Sequence, residues 1–251
     1  MGELIAVLSG KGGTGKTSLC AGVATALAAA GESVLCIDCD VGLRNLDLAL
    51  GMADFGGISF LDVCRGDYDL SQASAHPVYG NLRFLTAPVN CAAEDVDRLA
   101  FSAMLRQARG MFKYIFLDAP AGIDAGFRLC AAYADRVILV TNGDRAAIRD
   151  ASRAGELLEK MGKSQVRMVV NRVNVKLFKT MGLTVDDVMD SAGLPLIGVV
   201  PEDAEVMLCA NRGEPLTIRG RKGAGQACWN IAQRLDGLAV PIMRIRKQGL
   251  L

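Results

Sequence analysis

The sequence has little of several features that mark common classes of protein. It contains a single histidine, His76, so neither a histidine metal cluster nor a conventional histidine triad can be built from it. No apolar run reaches the 18 residues that a membrane-spanning helix needs, and no signal peptide is recognisable. The formal net charge is only +1, so bulk charge identifies no nucleic-acid partner.

The eight cysteines lack the spacing of a zinc site or of a disulfide framework. The only close pair is Cys36 and Cys39, and Cys36 lies inside the apolar run "SVLCID". We therefore expect buried small hydrophobic side chains in a reduced, cytoplasmic protein. His76 stands in the turn-like stretch "AHPVYG", which predicts a solvated loop histidine.

What the chain does have is apolar sequence in short, regularly recurring runs. Of its 251 residues 51% are hydrophobic, which is enough for a sizeable core. The runs are continuous, as in strands buried on both faces, and helical spacing lies between them. This pattern predicts an α/β fold with a single doubly wound, mostly parallel sheet and helices on both faces. The predicted strands are residues 4–9, 33–38, 82–87, 114–119, 136–141, 167–172 and 196–200.

No linker, internal repeat or low-complexity segment divides the chain. We expect one domain over residues 1–240 and a short basic and apolar tail over residues 241–251. Ligands of such sheets bind at the carboxyl ends of the strands. Residues that directly follow strands are therefore the first candidates for a site.

The stretch "GKGGTGKT", residues 10–17, fits the phosphate-binding pattern G-x-x-x-x-G-K-[ST] between a predicted strand and a predicted helix. Its backbone N–H groups would face phosphate oxygens, Lys16 would reach the β- and γ-phosphates, and Thr17 would ligate Mg²⁺. A tight turn without a ligand is the alternative. The predicted nucleotide-binding residues of this loop are Gly10, Lys11, Gly12, Gly13, Thr14, Gly15, Lys16, Thr17 and Ser18.

Carboxylates follow two other predicted strands. Asp38 ends one strand and Asp40 comes two residues later, so one of them could hold metal-bound water while the other orients the attacking water. Asp118 ends the strand in "YIFLDAPAGID", the position of a second metal-shell carboxylate, and the Gly122 N–H beyond it could sense a γ-phosphate. The alternative for the first pair is a set of loop or helix-cap aspartates.

An asparagine ends the sixth predicted strand, in "VVNRVN". The Asn171 amide could pair with N6 and N7 of adenine through one donor and one acceptor. Guanine sites instead carry an aspartate three residues after such an asparagine, whereas this chain has Asn174 there. The sequence therefore favours ATP over GTP, although Asn171 could also simply cap the strand.

The stretches "KGGTGKT" and "GLRNLDL" resemble the deviant Walker A motif and the switch I signature of the MinD branch of the MinD/ParA ATPases. The resemblance implies a P-loop NTPase of the SIMIBI type with ATP and Mg²⁺ as ligands. It also implies that Lys11 crosses a dimer interface to the partner's nucleotide, that Asp40 assists hydrolysis, and that Thr17, Asp38 and Asp118 form the metal shell. A solvated loop lysine remains the alternative for Lys11.

The resemblance extends to the base side of the site. "GVVPED" is similar to the family's second base-side loop, which implies base-side roles for Pro201, Glu202 and Asp203 through their backbone, beside Asn171 and Arg172. "DAPAGID" is similar to the family's "DSPAGIE", with Asp124 in place of glutamate. Within switch I we interpret Leu43, Leu46, Leu48 and Leu50 as packing residues.

The resemblance implies an ATP-dependent homodimer that regulates division-site placement. It would recruit a MinC-like division inhibitor to the membrane and respond to a MinE-like or other ATPase activator. The alternatives are a ParA-like partition ATPase, a MinD-like flagellar-number regulator and an iron–sulfur carrier ATPase. Nucleic acid is a weak candidate, because the terminal helix "GQACWNIAQRL" carries few basic residues and a compact cluster such as "RGRK" at 219–222 is more often a solvated face.

The tail, residues 242–251, is interpreted as a weak anchor for an anionic membrane surface. It carries three cations, Arg244, Arg246 and Lys247, but its apolar residues do not form a clean amphipathic helix. The expected location is therefore the cytoplasm, with reversible peripheral attachment to the inner face of the cell membrane.

Overall fold

The structure is a computed structural model that describes residues 1–41, 43–89, 93–243 and 245. These residues form one eight-stranded sheet in the order β3-β4-β2-β5-β1-β6-β7-β8. Every neighbouring pair is parallel except β3 and β4. The strands are β1 (Glu3–Leu8), β2 (Val34–Asp38), β3 (Ser74–Ala75), β4 (Leu82–Leu85), β5 (Tyr114–Asp118), β6 (Arg136–Thr141), β7 (Val166–Val173) and β8 (Leu196–Pro201).

Helices cover both faces of the sheet. One buried cluster joins the strands to α3, α4, α5 and α6, and a second joins them to α1, α2, α9 and α10. A third cluster packs α7 and α8 against β7 and β8 at one end. The α-helices are α1 (Lys16–Ala29), α2 (Leu46–Leu50), α3 (Phe60–Arg65), α4 (Arg98–Met111), α5 (Ala125–Tyr133), α6 (Arg145–Lys160), α7 (Val175–Met181), α8 (Val185–Ala192), α9 (Ala204–Arg212) and α10 (Gly223–Leu235).

The predicted doubly wound sheet is confirmed, and each of the seven predicted runs forms a strand. Their continuous apolar character matches burial on both faces, since all five residues of β2 and of β5 are buried. β3 was not predicted: it has two residues, pairs antiparallel with β4, and is too short to produce an apolar pattern. No helix in the described part of the chain is long and apolar enough to cross a membrane.

The cysteines behave as expected where the structure describes them. Six are buried and Cys64 is half-buried, while Cys91 lies outside the described residues. Burial raises the pKa of the Cys228 thiol to about 12, as an apolar environment does for any thiol. These side chains act as small hydrophobic residues of the core.

The prediction of a solvated His76 is wrong. Only 2% of this side chain is exposed, and its Nδ1 accepts hydrogen bonds from the backbone N–H groups of Val78 and Tyr79, both at 3.1 Å. Nε2 therefore carries the proton and donates a hydrogen bond to the Leu50 carbonyl, at the end of α2, over 2.9 Å. Burial lowers the pKa of His76, in keeping with the neutral imidazole that these hydrogen bonds require.

The register of the sheet brings the candidate residues to one edge. Asp118 at the end of β5 lies opposite both Asp38 of β2 and Val7 of β1. The loop after β1 and the aspartates after β2 and β5 therefore converge.

Candidate nucleotide site

The glycine loop lies between β1 and α1, as predicted. Gly15 is the N-cap of α1 in a left-handed conformation, with φ +84°, and no side chain caps the helix. A Cβ atom at Gly15 would lie 2.3 Å from the Asn171 amide nitrogen, and one at Gly10 would lie 2.4 Å from the Asp150 carbonyl oxygen. Glycine is therefore required at both positions, and the uncapped N–H groups of α1 are suited to an anion.

Lys16 ends this loop in a buried ion pair. Its Nζ donates to Asp118 Oδ1 at 2.7 Å, and the two side chains are only 6% and 1% exposed. Burial lowers the pKa of Lys16, but Asp118, together with the nearby Cys20 and Asp40, more than offsets this, so the pKa is raised and the lysine is charged. The pair joins two residues 102 positions apart in the chain.

Within the part of the chain that the structure describes, several buried polar atoms around the loop have no hydrogen-bond partner. They include Ser9 Oγ, Thr14 Oγ1 and Asp118 Oδ2. Buried polar groups in proteins are nearly always paired, so unpaired oxygens gathered beside a glycine loop indicate a ligand site. Hydroxyl and carboxylate oxygens are also the ligands that Mg²⁺ prefers. The residues around the loop therefore fit both a phosphate group and this cation.

Asp38 organises the segment that follows β2. Its carboxylate accepts hydrogen bonds from the Asp40 N–H at 2.9 Å and from the Leu46 N–H, at the start of α2, at 3.2 Å. Burial, together with the nearby Asp118, raises the pKa of Asp38 to about 7. Within the described residues no hydrogen bond engages the Asp40 carboxylate, which leaves it available for water.

Switch I is less buried than the sequence predicted. Leu46 and Leu50 belong to the core, as expected, but Leu43 and Leu48 are 69% and 45% exposed. Two of the four predicted packing residues therefore present apolar surface next to the site. Arg44, with φ +47°, donates to Thr86 Oγ1 from both Nε and Nη2.

Lys11 lies outside the cradle that Lys16 completes. Its Nζ forms an ion pair with Asp144, which caps α6 by accepting from the Ala146 N–H. The two side chains are 39% and 49% exposed. The hydrogen bond from Lys11 lowers the pKa of Asp144.

The segment after β5 is attached to the end of β1. The Gly122 N–H, predicted to sense a γ-phosphate, donates to the Ser9 carbonyl at 3.0 Å. Gly122 has φ +99°, a conformation that suits glycine. Asp124 is the N-cap residue of α5 but makes no side-chain capping bond.

A cavity of 580 Å³ opens beside the loop, and all the predicted base-side residues line it. The Asn171 amide, however, is already engaged. Its Nδ2 donates to the Thr14 carbonyl at 2.8 Å, and its Oδ1 accepts from the Arg172 N–H at 2.9 Å. In this arrangement Asn171 supports the phosphate loop, whereas its predicted role is to read a base.

The other polar residues of the cavity are also held by local contacts. Glu202 accepts from Asn174 Nδ2 at 2.9 Å and lies 3.7 Å from the Arg172 guanidinium. Asp203 caps α9 through the Glu205 N–H and also accepts from the Ala224 N–H, in the first turn of α10, at 2.9 Å. Its carboxylate therefore ties two helix N-termini to the cavity wall.

Sequence reasoning missed the apolar lining of this cavity. An apolar cavity of this kind suits a nucleobase. The lining residues are spread over α1, β8, α9, the short 3₁₀ helix Leu216–Arg219 and α10, and nothing in their local pattern distinguishes them from the rest of the core. They are Leu19, Val200, Val206, Met207, Leu216, Ala224 and Cys228.

A phosphate-binding glycine loop between the first strand and first helix of a doubly wound sheet defines the P-loop NTPases, and the geometry above places the protein in that class. The family assignment follows from comparison with known proteins. Residues 5–216 match the model of the CobQ/CobB/MinD/ParA nucleotide binding domain, and the chain belongs to this family.

Individual relatives are septum site-determining proteins named MinD. The chain is 37% identical to MinD of Synechocystis, covering 97% of this chain and 92% of that protein. It is 36% identical to MinD of Thermotoga maritima, covering 96% and 91%. Together these matches identify a MinD-type member of the family.

Solved structures support the same MinD-type assignment. A MinC:MinD cell division protein complex from Aquifex aeolicus has a TM-score of 0.88 and 36% identity, covering 96% of this chain and 98% of that one. MinD of Pyrococcus horikoshii, solved with Mg-ADP, has a TM-score of 0.81 and 28% identity, covering 94% and 96%.

Proposed function

We propose that this protein is an ATP-dependent dimerisation switch that regulates the placement of the division site. It would bind Mg-ATP, dimerise, and return to the monomer when it hydrolyses ATP. The names of its relatives support the cellular role. The observation that carries the biochemical role is the contrast between a buried Lys16 and an exposed Lys11 in one loop.

ATP would bind with its base against the apolar cavity and its phosphates at the N-terminus of α1. There the loop N–H groups and the Lys16 ammonium supply fixed positive charge to the phosphate oxygens. Thr14 and Ser9 place unpaired hydroxyls beside the loop, so phosphate oxygens could satisfy buried donors that the protein leaves open.

Thr17, Asp38 and Asp118 would hold Mg²⁺, which supplies positive charge to the phosphate oxygens when it is bound. Asp38 is fixed for this role by the N–H groups of Asp40 and Leu46. The unengaged carboxylate of Asp40 can accept a hydrogen bond from water and orient it. Lys11 of one subunit would complete the charge neutralisation at the other subunit's nucleotide, which makes hydrolysis depend on dimerisation.

The proposed partners follow from the same assignment. A MinC-like division inhibitor is favoured by the similarity to the Aquifex MinC:MinD complex. An ATPase activator of the MinE type or another type, and an anionic membrane surface, complete the proposed cycle. Arg244, Arg246 and Lys247, the three cations of the proposed anchor, lie outside the described residues.

A partition protein that binds DNA is less well supported. The basic cluster at 219–222 is largely engaged within the protein: Arg219 pairs with Glu205 and Glu214, and the Arg221 guanidinium lies 4.1 Å from the centre of the Trp229 ring. Cations already paired with carboxylates attract a phosphate backbone weakly.

Light scattering and ATP hydrolysis on three variants test the proposal. Wild-type protein should dimerise with Mg-ATP, and Lys11→Ala should stay monomeric while still binding nucleotide. Asp40→Ala should accumulate as a dimer and hydrolyse ATP about 10² to 10⁴ times more slowly, as expected for loss of an orienting group. Lys160→Ala, which removes an exposed lysine at the end of α6, is the control.

The cellular role is tested by adding a purified MinC homologue. It should coelute with the wild type and with Asp40→Ala in Mg-ATP, and not with Lys11→Ala. Dimerisation of Lys11→Ala at the wild-type concentration dependence would rule out the cross-subunit lysine, and a wild-type rate for Asp40→Ala would exclude its role in hydrolysis.

A further inference from the structure

A second cavity lies at the opposite end of the sheet from the nucleotide site. It has a volume of 430 Å³ and is lined by the first residues of β6, β7 and β8 and by the last turn of α10. The helix ends at Leu235, and the chain turns at Gly237, which has φ +85°. The end of the helix therefore leaves a space between the sheet and the turn that follows it.

Three arginines line this cavity, and no carboxylate does in the part of the chain that the structure describes. Arg234 belongs to α10, while Arg136 and Arg167 belong to β6 and β7. Ile138 and Val169, each two residues further along the same strand, pack in the core cluster on the α10 side. Side chains two positions apart share a face of a strand, so both strand arginines face α10.

Only one of the two strand arginines has an opposite charge beside it. The Arg136 Nε lies 2.6 Å from the Glu3 carboxylate, and its Nη1 donates to the Leu235 carbonyl at 2.8 Å. Arg167 is exposed and makes no hydrogen bond or ion pair with any residue that the structure describes. Its whole guanidinium group is therefore available to a ligand.

Arg234 is held by neutral groups only. Its guanidinium donates to the Ile197 carbonyl at 2.7 Å, to the Val240 carbonyl at 2.8 Å and to the Pro241 carbonyl. A guanidinium has five N–H groups, so two remain. Burial lowers the pKa of Arg234, and no carboxylate opposes this effect. The cavity thus contains a second positive charge without a counter-ion.

We propose that this cavity binds a phosphomonoester dianion, the phosphate group of a small soluble molecule. The two uncompensated guanidinium groups match its two negative charges, and a guanidinium presents paired N–H groups to phosphate oxygens. Arg167 is the main ligand, and Arg234 offers its remaining N–H groups. Apolar walls that include Ile138 and Leu238 face the organic part of the molecule. The site is separate from the glycine loop and does not rest on the proposed function.

Two exposed side chains allow the site to be tested without disturbing the core. Arg167→Gln removes the unpaired guanidinium. Gln165→Glu supplies the carboxylate that the lining lacks, with almost no change in side-chain volume. Arg106→Gln, at an exposed position of α4, makes the same change in charge as Arg167→Gln and is the control.

Binding is measured by isothermal titration calorimetry of full-length protein with sn-glycerol 3-phosphate at pH 8, in excess Mg-ADP to occupy the glycine loop. The wild type and Arg106→Gln should bind equally. In Arg167→Gln and Gln165→Glu the affinity should fall about tenfold or more, the effect of losing hydrogen bonds between charged groups. Dimethyl phosphate, a diester with a single negative charge, should bind the wild type more weakly by a similar factor.

The position of the ligand is measured by the rate at which phenylglyoxal modifies Arg167, determined by mass spectrometry. Added sn-glycerol 3-phosphate should lower this rate in proportion to the occupied fraction and leave Arg106 of the same protein unaffected. Absence of saturable binding, or unchanged affinity in Arg167→Gln, would overturn the site, and equal affinities for monoester and diester would overturn the preference for a dianion. The comparison of variants remains valid whether or not the glycine loop binds nucleotide.

Discussion

Lys11 and Lys16 stand five residues apart in one loop, yet the structure gives them opposite surroundings. Lys16 and its partner Asp118 are almost fully buried, whereas Lys11 and Asp144 each keep more than a third of their side-chain surface exposed. A buried charge that loses its partner is costly, while an exposed ion pair contributes little. The buried pair is therefore a fixed part of each subunit, and the exposed pair can be given up when another partner arrives.

The largest expected effect comes from removing each lysine in turn. Lys16→Met leaves the buried Asp118 without its cation, so the free energy of unfolding at pH 8 should fall by about 3–5 kcal/mol. Lys11→Met should lower it by about 0–1 kcal/mol. Urea denaturation of the nucleotide-free proteins measures both, and equal losses would contradict the contrast between the two pairs.

A smaller effect is expected from freeing Lys11. Asp144→Asn removes the carboxylate that holds Lys11 within its own subunit, so less free energy is needed to release it to a partner. The dissociation constant of the Mg-ATP dimer should fall by about two- to fivefold, the amount an exposed ion pair can supply. Light scattering against protein concentration checks this, with Asp150→Asn on the same helix as the control. A weaker dimer would show that Asp144 itself serves the interface.

The smallest effect concerns His76, which is buried like Lys16 but faces backbone groups instead of an opposite charge. Its folded pKa lies below the unfolded value of about 6.5, so the folded state binds fewer protons. The stability that depends on neutral His76 is complete above pH 6.5 and is lost as the pH falls toward the folded pKa. The free energy of unfolding should therefore fall as the pH is lowered from 7 to 5.5.

The matched variant for this prediction is His76→Gln. Its side chain can donate and accept hydrogen bonds but does not titrate, so urea denaturation of this variant should lack that part of the pH dependence. A His76→Gln profile parallel to the wild type would assign the pH dependence to other groups.

Patterns that are local in the sequence predicted most of the strands and the phosphate-binding loop. Continuous apolar runs predicted the seven parallel strands, and the glycine loop and its lysine were predicted from residues 10–17 alone. Their context, a strand followed by a helix, is also local. Asp38 and Asp118 were placed correctly at strand ends because a carboxyl-end position can be deduced from the end of an apolar run.

Contacts between distant segments could not be predicted in the same way. The Lys16–Asp118 pair and the Asn171 bond to Thr14 join residues more than 100 positions apart, and they depend on the strand order. The apolar wall of the base cavity comes from five separate elements with ordinary core composition. His76 was mispredicted because its environment is made by the end of α2, which lies 26 residues earlier.

The short helix α2 is held at both ends. The Asp38 carboxylate accepts the N–H of its first residue, Leu46, and the imidazole of His76 donates to the carbonyl of its last residue, Leu50. Because the chain has one histidine, its imidazole protons give a single, assignable pair of signals in a proton spectrum without isotope labelling or engineering. Those signals report on the Leu50 end of α2, whose Leu46 end is hydrogen-bonded to Asp38 of the candidate metal shell. The unmodified protein therefore contains its own NMR probe of switch I.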